Sequence, residues 1–321
     1  MDLAKTIKIG TRGSPLALVQ TALVQAELAS RYPDLKVEVV RISTVGDRVQ
    51  DRPLAALGGK ASFVAEIESA LREGRIHMAV HSAKDIPSEL PYDMRIAACL
   101  PREDARDALI AHEGHDIESL PNGARVGTSS PRRACQLRAL RPDIQLLDVR
   151  GNVETRLAKF DAGDYDAVVL AAAGLSRLGL LHRATHLVPF NQMLPCGGQG
   201  AIAIEVCAND PYALALVSSF DHAPTSIAVA AERAFLGVIG GSCSTPLAAH
   251  ATVVGNTLEL HAVIGASDGR FVRAERRGAV GDAVEVGRQL GDELLAAGGA
   301  NLLRDDGFVP ATSNSDQRLG E

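Results

Sequence analysis

The stretch TIKIGTRGSPLALVQTALVQAELAS, residues 6–30, sets the structural pattern of this chain. Thr6–Gly10 predicts a β-strand, and Ser14-Pro15 then supplies a side-chain N-cap followed by proline at the first helical position. Leu16–Ser30 has the apolar spacing of an amphipathic helix. A strand that passes within a few residues into a helix indicates an α/β unit.

The same pattern returns in RVGTSSPRRACQLRAL, residues 125–140. Arg125–Gly127 predicts a short strand, Ser130-Pro131 repeats the cap and the proline, and Arg132–Arg141 predicts a helix. We interpret the two Ser-Pro helix starts as corresponding points in two similar lobes. Elsewhere the similarity between the two halves is too weak to indicate a sequence repeat.

Strand and helix patterns also alternate between and after these two stretches. The further predicted strands are Lys36–Ile42, Ile76–Ser82, Arg95–Cys99, Ile144–Val149, Tyr165–Ala172 and Ala201–Cys207, and the helices are Phe63–Arg72 and Val153–Asp161. Such alternation predicts mostly parallel sheets that are covered by helices.

The last third of the chain has a different pattern. Ser226–Ile239 predicts a helix, and the strands that follow are interrupted by Gly255-Asn256 and Asp268-Gly269. These dipeptides are hairpin turn signals, so this part is predicted to be antiparallel. A final helix, Ala283–Ala297, packs on the hairpins and completes a small α+β domain.

Composition narrows the class of protein. A chain of 321 residues predicts two or three domains. The net charge of −6 argues against a general nucleic-acid surface, and the 3% aromatic content without tryptophan argues against base stacking. No window predicts a signal peptide or a membrane span. The five cysteines are scattered without a CxxC pair, which argues against disulfides and zinc and favours a reducing cytoplasm.

Arginines gather where predicted strands pass into helices, although the chain is acidic overall. They are Arg12, Arg132 with Arg133, and Arg150 with Arg156. Helix N-termini already favour anions, and a guanidinium group binds carboxylate or phosphate in a bidentate way. Repetition of this arrangement indicates a ligand with many negative charges, although any single arginine is more simply a solvated surface residue.

Two further segments are candidates for chemistry. Asp85 lies in HSAKDIP, residues 81–87, just after a predicted strand, where sites of open α/β sheets form, although a capping or solvated role is also open. His81 is more simply a packed histidine than an acid or base. Residues 45–61 predict a long loop or lid in which Lys60 can reach an anion. The glycine spacing before Lys60 does not match a P-loop.

The cysteines divide into two groups. Cys99, Cys135 and Cys207 lie on predicted strands or helices and are interpreted as small core residues. Cys196 and Cys243 lie in glycine-rich loops, where a thiol can be exposed. The spacing of residues does not decide which of these two has a chemical role.

Taken in order, these segments resemble the porphobilinogen deaminase (hydroxymethylbilane synthase) family over nearly the whole chain. The matching pieces are TRGSPLA (11–17), GGK (58–60), HSAKDIP (81–87), RED (102–104), GTSSPRR (127–133), RGNVETR (150–156), GQG (198–200), and Cys243 with Pro246. One such piece is a weak signal, whereas the ordered set is highly specific.

The resemblance implies an α/β fold with two lobes like type 2 periplasmic binding proteins, each with a mixed, mostly parallel sheet, plus a small C-terminal α+β domain. The domains expected from it are residues 1–100 with 200–217, residues 105–195, and residues 222–311, which carry the cofactor cysteine. Residues 312–321 are expected to be a polar, frayed tail.

The resemblance also assigns roles to residues. It implies a dipyrromethane cofactor attached covalently to Cys243, not to Cys196, with Asp85 as the catalytic acid and no metal. The positions that bind the cofactor or hold its acetate and propionate groups and those of the substrate are Arg12, Ser14, Ser82, Lys84, Thr128, Ser129, Arg132, Arg133, Arg150, Arg156 and Arg177. Lys60, Phe63 and Gln199 are expected as substrate or lid residues.

Three positions depart from the family pattern: Ala56 where lysine is frequent, Ser242 where glycine is common, and Pro131 where leucine is frequent. None of them removes an attachment or catalytic group. The change at Ala56 leaves one lid-side cation absent, which is expected to weaken closure of the loop.

The implied activity is that of a transferase that joins four porphobilinogen molecules head to tail into hydroxymethylbilane, with loss of ammonia. The expected enzyme is a cytoplasmic monomer without nucleic-acid or membrane partners. Two other classes stay open from the residues alone. A two-lobed binding or ligand-sensing protein would also need anion sites, and so would a nucleotide-dependent transferase, although the absent P-loop and dinucleotide motif count against the latter.

Overall fold

The computed structural model describes residues 6–48, 64–240 and 245–308. We number its strands and helices in chain order. The strands are β1 (Ile7–Thr11), β2 (Val37–Arg41), β3 (Met78–Ser82), β4 (Met94–Cys99), β5 (Asp107–Ala111), β6 (Arg125–Gly127), β7 (Gln145–Leu147), β8 (Ala167–Ala171), β9 (His186–Val188), β10 (Ile202–Cys207), β11 (Leu247–Val254), β12 (Thr257–Gly265) and β13 (Phe271–Ala279). The helices are α1 (Pro15–Arg31), α2 (Val45–Arg48), α3 (Ala65–Arg72), α4 (Pro131–Leu140), α5 (Val153–Asp161), α6 (Ala172–Arg177), α7 (Pro211–Ser218), α8 (Ala223–Ile239), α9 (Ala283–Leu294) and α10 (Ala300–Asp305).

Two of the sheets have the same strand order and the same strand directions. The first runs β2-β1-β3-β10-β4 and the second runs β7-β6-β8-β5-β9. In each, the first three strands are parallel and the fourth is antiparallel to both of its neighbours. We call the first sheet with α1, α3 and α7 the first lobe, and the second sheet with α4, α5 and α6 the second lobe. The predicted pair of similar α/β lobes with mixed, mostly parallel sheets is confirmed.

Matching side-chain caps start the first long helix of each lobe. The Ser14 hydroxyl accepts a hydrogen bond from the Ala17 backbone N–H, and the Ser130 hydroxyl accepts one from the Arg133 backbone N–H. Proline follows the cap in both helices, where its missing N–H costs nothing. The two Ser-Pro helix starts therefore occupy equivalent places after β1 and β6.

Two crossover segments connect the lobes and lie against each other. Residues 100–106 lead into β5, and residues 189–201 lead back to β10. The Glu103 backbone N–H donates to the Gly200 carbonyl at 3.2 Å. Gly200 has φ of +86°, and a β-carbon built there would lie 2.4 Å from the Glu103 carbonyl oxygen. Glycine is therefore required where the two crossovers touch.

The third sheet, β11-β12-β13, is antiparallel and packs on α8 and α9 to form the C-terminal domain. Turns at Gly255 and Gly269 join its strands, and both glycines have positive φ, as the hairpin signals predict. Alternating residues of β12 and the apolar sides of both helices share one core, which includes Phe235, Leu260 and Leu290.

One buried carboxylate joins the C-terminal domain to both crossovers. Glu232 on α8 is fully buried and accepts hydrogen bonds from the Arg102 guanidinium at 2.6 and 3.3 Å, and from the backbone N–H groups of Gly198 at 2.6 Å and Ala251 at 2.7 Å. His250 stacks near Phe190 of the second crossover. Burial, together with the charges of Arg102 and His261, lowers the pKa of His250 to about 3, and the charge of Asp104 opposes this shift.

Several element boundaries differ from the sequence predictions. The strand predicted over Tyr165–Ala172 is shorter in the structure and ends at Ala171, and α6 begins at Ala172. The continuous apolar run AVVLAAAGL contains no local signal for this boundary. The predicted helix Ala283–Ala297 ends at Leu294 and continues as a wide π-type turn through Gly298, whose φ is 111°. Cys99 and Cys135 are buried, as expected of core residues, whereas Cys207 is partly exposed and packs against the edge of a core cluster.

Within the described ranges, we find no helix with the length and apolar character needed to cross a membrane.

Candidate active site

A small cleft opens where β1 and β3 end beside the start of α1. These two strands are parallel neighbours, so their carboxyl ends meet at one edge of the sheet. The cleft has a cavity volume of about 70 Å³. Four of the predicted site residues line it together, namely Arg12, Ser14, Ser82 and Asp85.

Asp85 ends a single 3₁₀ turn, Ala83–Asp85, that follows β3 directly. Its side chain is half-buried. No hydrogen-bond donor among the described residues reaches its carboxylate. The charges of Lys84 and Arg156 both act on it. The Asp85 carboxyl group therefore lies among cationic side chains and is available to a ligand.

Two hydrogen-bonded pairs form the floor of this cleft. The Gln20 amide donates to the Ser82 hydroxyl at 2.8 Å, and that hydroxyl donates back to the Gln20 oxygen at 3.2 Å. His81 Nε2 lies 3.0 Å from a carboxylate oxygen of Glu205, and both residues are buried. The His81 ring is thus hydrogen-bonded inside the first lobe, which agrees with its interpretation as a packed histidine.

The second lobe brings its arginines to the same region through the carboxyl ends of β6 and β7, which are parallel. Arg150 and Arg156 follow β7, and both are half-buried. Burial, together with the charges of Arg133 and Arg150, lowers the pKa of Arg156 to about 10, and the charge of Asp85 opposes this shift. Asp85 of the first lobe and Arg156 of the second lobe therefore lie within electrostatic reach of each other.

Arg132 and Arg133 are buried and share one internal partner, Asp107 at the start of β5. Arg132 donates to Asp107 at 2.7 and 3.3 Å, and Arg133 donates to it at 2.7 and 3.0 Å. Burial would raise the pKa of Asp107, but the two guanidinium groups outweigh it and lower that pKa. Most donors of this arginine pair are thus engaged inside the protein.

The hydroxyl groups of the second lobe hold its loops in place. Ser129 Oγ donates to the Val149 carbonyl at 2.9 Å and accepts from the Val149 N–H at 3.0 Å. Thr128 is buried, and its hydroxyl accepts from the Ser130 N–H at 3.2 Å. These bonds tie the loop after β6 to the end of β7, beside Arg150.

Gln199 and Arg177 lie at the crossovers. Gln199 is only 1% exposed, so the structure places it behind the cleft instead of on a lid. Lys84 donates to its side-chain oxygen at 3.4 Å. Arg177 donates to the Gly200 carbonyl at 2.6 Å and is close to Glu103, and burial lowers its pKa. No described contact brings Arg177 into the cleft with Asp85.

Several predicted site positions lie outside the described residues. They are Cys243, Lys60 and Phe63, together with the departures from the family pattern at Ala56 and Ser242. Cys196, the other thiol in a glycine-rich loop, is described, and it is a half-buried free thiol within electrostatic reach of Lys84.

The sequence analysis missed residues that hold the site from within. Asp107, Glu205 and Glu232 are fully buried carboxylates, each with a cationic or histidine partner. Asp107 and Glu205 stand in the apolar strands DALIA and IAIEVC. A charged residue inside an apolar strand needs a partner, and that is the signal that could have identified them.

Two family models match the chain. The model described as "Porphobilinogen deaminase, dipyromethane cofactor binding domain" matches residues 7–215, and the one described as "Porphobilinogen deaminase, C-terminal domain" matches residues 226–296. The protein named "Porphobilinogen deaminase" from Roseiflexus sp. (strain RS-1) is 54% identical over 301 residues, which cover 94% of this chain and 99% of that protein. The protein of the same name from Pelobacter propionicus (strain DSM 2379) is 46% identical over 302 residues, covering 94% of this chain and 97% of that protein.

Two solved structures illustrate a partial likeness to the chain. The BvgS VFT2 domain of Bordetella pertussis (double mutant F375E/Q461E) aligns with a TM-score of 0.41 at 15% identity, covering 66% of this chain and 85% of that chain. The aliphatic sulphonate binding protein SsuA from Escherichia coli aligns with a TM-score of 0.39 at 18% identity, covering 72% of this chain and 70% of that chain. With TM-scores this low, neither structure bears on the function of the cleft.

Proposed function

Since the chain belongs to the porphobilinogen deaminase family, we propose that the cleft around Asp85 is where it polymerises porphobilinogen. The chain is a transferase of tetrapyrrole biosynthesis with a dipyrromethane cofactor. The observation that carries the assignment of the site is the Asp85 carboxylate, which has no hydrogen-bond donor among the described residues and is surrounded by cations.

The charges around the cleft fit a group with many carboxylates. The charges of Arg133 and Arg150 disfavour the charged form of Arg156, with Asp85 as the compensating charge. Such a surplus of cations is relieved by anionic ligands, and each pyrrole of the cofactor and of the substrate brings two carboxylates. When bound, the dipyrromethane supplies the free pyrrole carbon from which the product grows.

Asp85 is proposed as the group that accepts a hydrogen bond from the pyrrole N–H of porphobilinogen and helps to protonate the departing amine. Loss of ammonia leaves a positive charge on the substrate, and the Asp85 carboxylate stabilises it. A carboxylate about 4 Å from a cation contributes about 4 kcal/mol at an effective dielectric constant of about 20. That energy corresponds to about three orders of magnitude in rate.

The cationic residues are proposed to compensate the carboxylates of the substrate and of the growing chain. This role is supported by Arg12, Ser14 and Ser82, which line the cleft with Asp85, and by the charges of Lys84, Arg150 and Arg156 near it. Unpaired burial of these carboxylates would be prohibitive. In this role Arg132 and Arg133 contribute with the donors that Asp107 and the backbone do not occupy.

Removing Arg150 or Arg156 is expected to stall elongation. Each Arg→Ala variant loses a charged hydrogen bond to a substrate carboxylate, which costs about 1.5–3 kcal/mol, so formation of the final product slows by roughly 10- to 100-fold. Mass spectrometry of the enzyme during turnover is then expected to show partial chains. Arg125→Ala is the control, because Arg125 pairs with Asp166 near the surface of the same lobe. Normal elongation in both cleft variants would refute carboxylate docking.

The intact mass of the holoenzyme tests the whole proposal. We propose that Cys243 forms the covalent bond to the dipyrromethane, so the purified protein is expected to exceed its sequence mass by one dipyrromethane. Cys243→Ser is expected to have the sequence mass alone, while the matched control Cys196→Ser keeps the addition. If the chain were instead a binding or sensing protein, the added mass would be absent from the unmodified protein and from both cysteine variants. Loss of the addition in Cys196→Ser would instead assign the attachment to that thiol.

We also propose the domain division into residues 1–100 with 200–217, residues 105–195 and residues 222–311, with residues 312–321 as a tail. The membership of β10 in the first sheet supports the split first domain. The net charge of −6 supports an enzyme that acts without nucleic acid, and the scattered cysteines support a cytoplasmic protein. A monomer is proposed on the resemblance to the family.

A further inference from the structure

We propose that Gln199, aligned by Asp107, is a positioning residue that holds the ammonium group of Lys84 beside Asp85. Two links make the connection. Gln199 Nε2 donates to Asp107 Oδ1 at 3.0 Å, and Lys84 Nζ donates to Gln199 Oε1 at 3.4 Å. This inference rests on the proposed function, because Lys84 is assigned there to the carboxylates of the substrate and cofactor.

The Asp107 carboxylate is held in a fixed position, so it can orient the Gln199 side chain. It is fully buried, and two guanidinium groups on α4 bind it from the second lobe. Arg132 also donates to the Leu194 carbonyl at 2.7 Å, and Arg133 donates to the Val169 carbonyl at 2.9 Å. The Asp107 carboxylate is therefore held by groups that are themselves anchored to the backbone.

The orientation of the Gln199 amide follows from its acceptors. Its nitrogen lies 2.7 Å from the Ala105 carbonyl oxygen and 3.0 Å from Asp107 Oδ1, and both of these atoms can only accept. The NH₂ group must therefore face them, which turns the amide oxygen toward Lys84. With Gln199 only 1% exposed, the side chain has little room to rotate away.

Close backbone packing brings Gln199 within reach of Lys84. The preceding residue, Gly198, has φ of +79°, and a β-carbon built there would lie 2.8 Å from the backbone of Ala83 and Lys84. The second crossover therefore lies directly against the 3₁₀ turn that carries Asp85. A side chain at position 198 would separate the two segments and break the contact between Gln199 and Lys84.

The ammonium form of Lys84 is stabilised by its hydrogen bond to Gln199. Burial lowers the pKa of Lys84, and the nearby charge of Arg133 also lowers it, while Asp85, Cys196 and Asp107 raise it. The Gln199 oxygen accepts from the ammonium form and favours that form. The second lobe thereby contributes to the charge of a first-lobe residue through the Asp107–Gln199 pair.

The test is the titration of Lys84 in the full-length holoenzyme. The chain has only the lysines Lys5, Lys8, Lys36, Lys60, Lys84 and Lys159, so reductive methylation with ¹³C-formaldehyde gives few NMR signals. A Lys84→Arg variant identifies the signal of Lys84. In Gln199→Leu we expect its titration midpoint to fall by about one pH unit, a tenfold change that equals about 1.4 kcal/mol. We expect kcat/KM for porphobilinogen to fall about tenfold as well.

Gln136→Leu is the matched control. Gln136 is also a buried amide with hydrogen bonds to the backbone, at 3.2 Å to Arg132, 3.1 Å to Leu194 O and 2.8 Å from Leu194 N. It does not contact Lys84, so its loss is expected to leave the Lys84 midpoint unchanged. A midpoint that stays in place in Gln199→Leu, or shifts equally in both variants, would overturn the inference.

Asp107→Asn provides a second measurement on the same signal. Removing this negative charge is expected to lower the Lys84 midpoint as well, in the same direction as Gln199→Leu. An unchanged midpoint in a folded Asp107→Asn protein contradicts the role of Asp107. If this variant does not fold, the comparison of Gln199→Leu with Gln136→Leu decides. The titration is measured without substrate, so its outcome does not depend on the mass test of the attachment site.

Discussion

We expect Asp85→Asn to lose about three orders of magnitude in kcat while the protein still folds. The amide has nearly the same shape but neither stabilises a cation by charge nor donates an acidic proton. General acid catalysis contributes a further factor of about 10² or more, so the total loss can be larger. Folding is preserved because no donor among the described residues depends on the Asp85 carboxylate. Ammonia release under saturating porphobilinogen measures the effect.

Asp93→Asn is the control for this prediction. Asp93 lies in the same lobe and pairs with Arg72 at 2.6 Å at the surface, away from the cleft residues. Its turnover is expected to match that of the unmodified protein. Retention of normal turnover in Asp85→Asn, with circular dichroism showing a folded chain, would remove Asp85 from the proposed reaction.

The largest effect on stability is expected for Glu232→Gln. The substitution leaves the partly buried Arg102 guanidinium without its counter-charge and turns one amide NH₂ toward the N–H donor of Gly198 or Ala251. Breaking a buried ion pair on one side typically costs about 3–5 kcal/mol. Calorimetry is the appropriate measurement, because a chain with several domains need not unfold in one step.

The comparison variant is Glu293→Gln, which breaks the exposed pair of Glu293 with Arg276. Exposed ion pairs contribute about 0–1 kcal/mol, so its unfolding temperature is expected to change little. Equal, small effects of the two substitutions would mean that the Glu232 carboxylate does not join the C-terminal domain to the crossovers.

Local signals in the sequence predicted much of the fold. Ser14-Pro15 and Ser130-Pro131 located the starts of α1 and α4, because an N-cap and a proline act within one helical turn. The hairpin turns at Gly255 and Gly269 were equally local. The direction of β10, in contrast, depends on pairing with β3 and β4 far away in the chain, and no local pattern encodes it.

The site was predictable in part for a similar reason. Asp85 and the arginines follow strands, so their place at the edge of a sheet could be inferred from the order of elements. The partners of Arg132 and Arg133 could not, because Asp107 is 25 and 26 residues away in sequence and reaches them only through the fold. The buried position of Gln199 likewise results from the contact between the two crossovers.

The interior position of β10 has a consequence for synthesis of the protein. Among the described strands, the second sheet has all its members once the chain has reached Val188, whereas β4 pairs within the first sheet only through β10, which ends at Cys207. A nascent chain on the ribosome therefore contains all the described strands of the second sheet before it contains all those of the first sheet. The first sheet can therefore be completed only after β10 has been synthesised, which happens after the last strand of the second sheet.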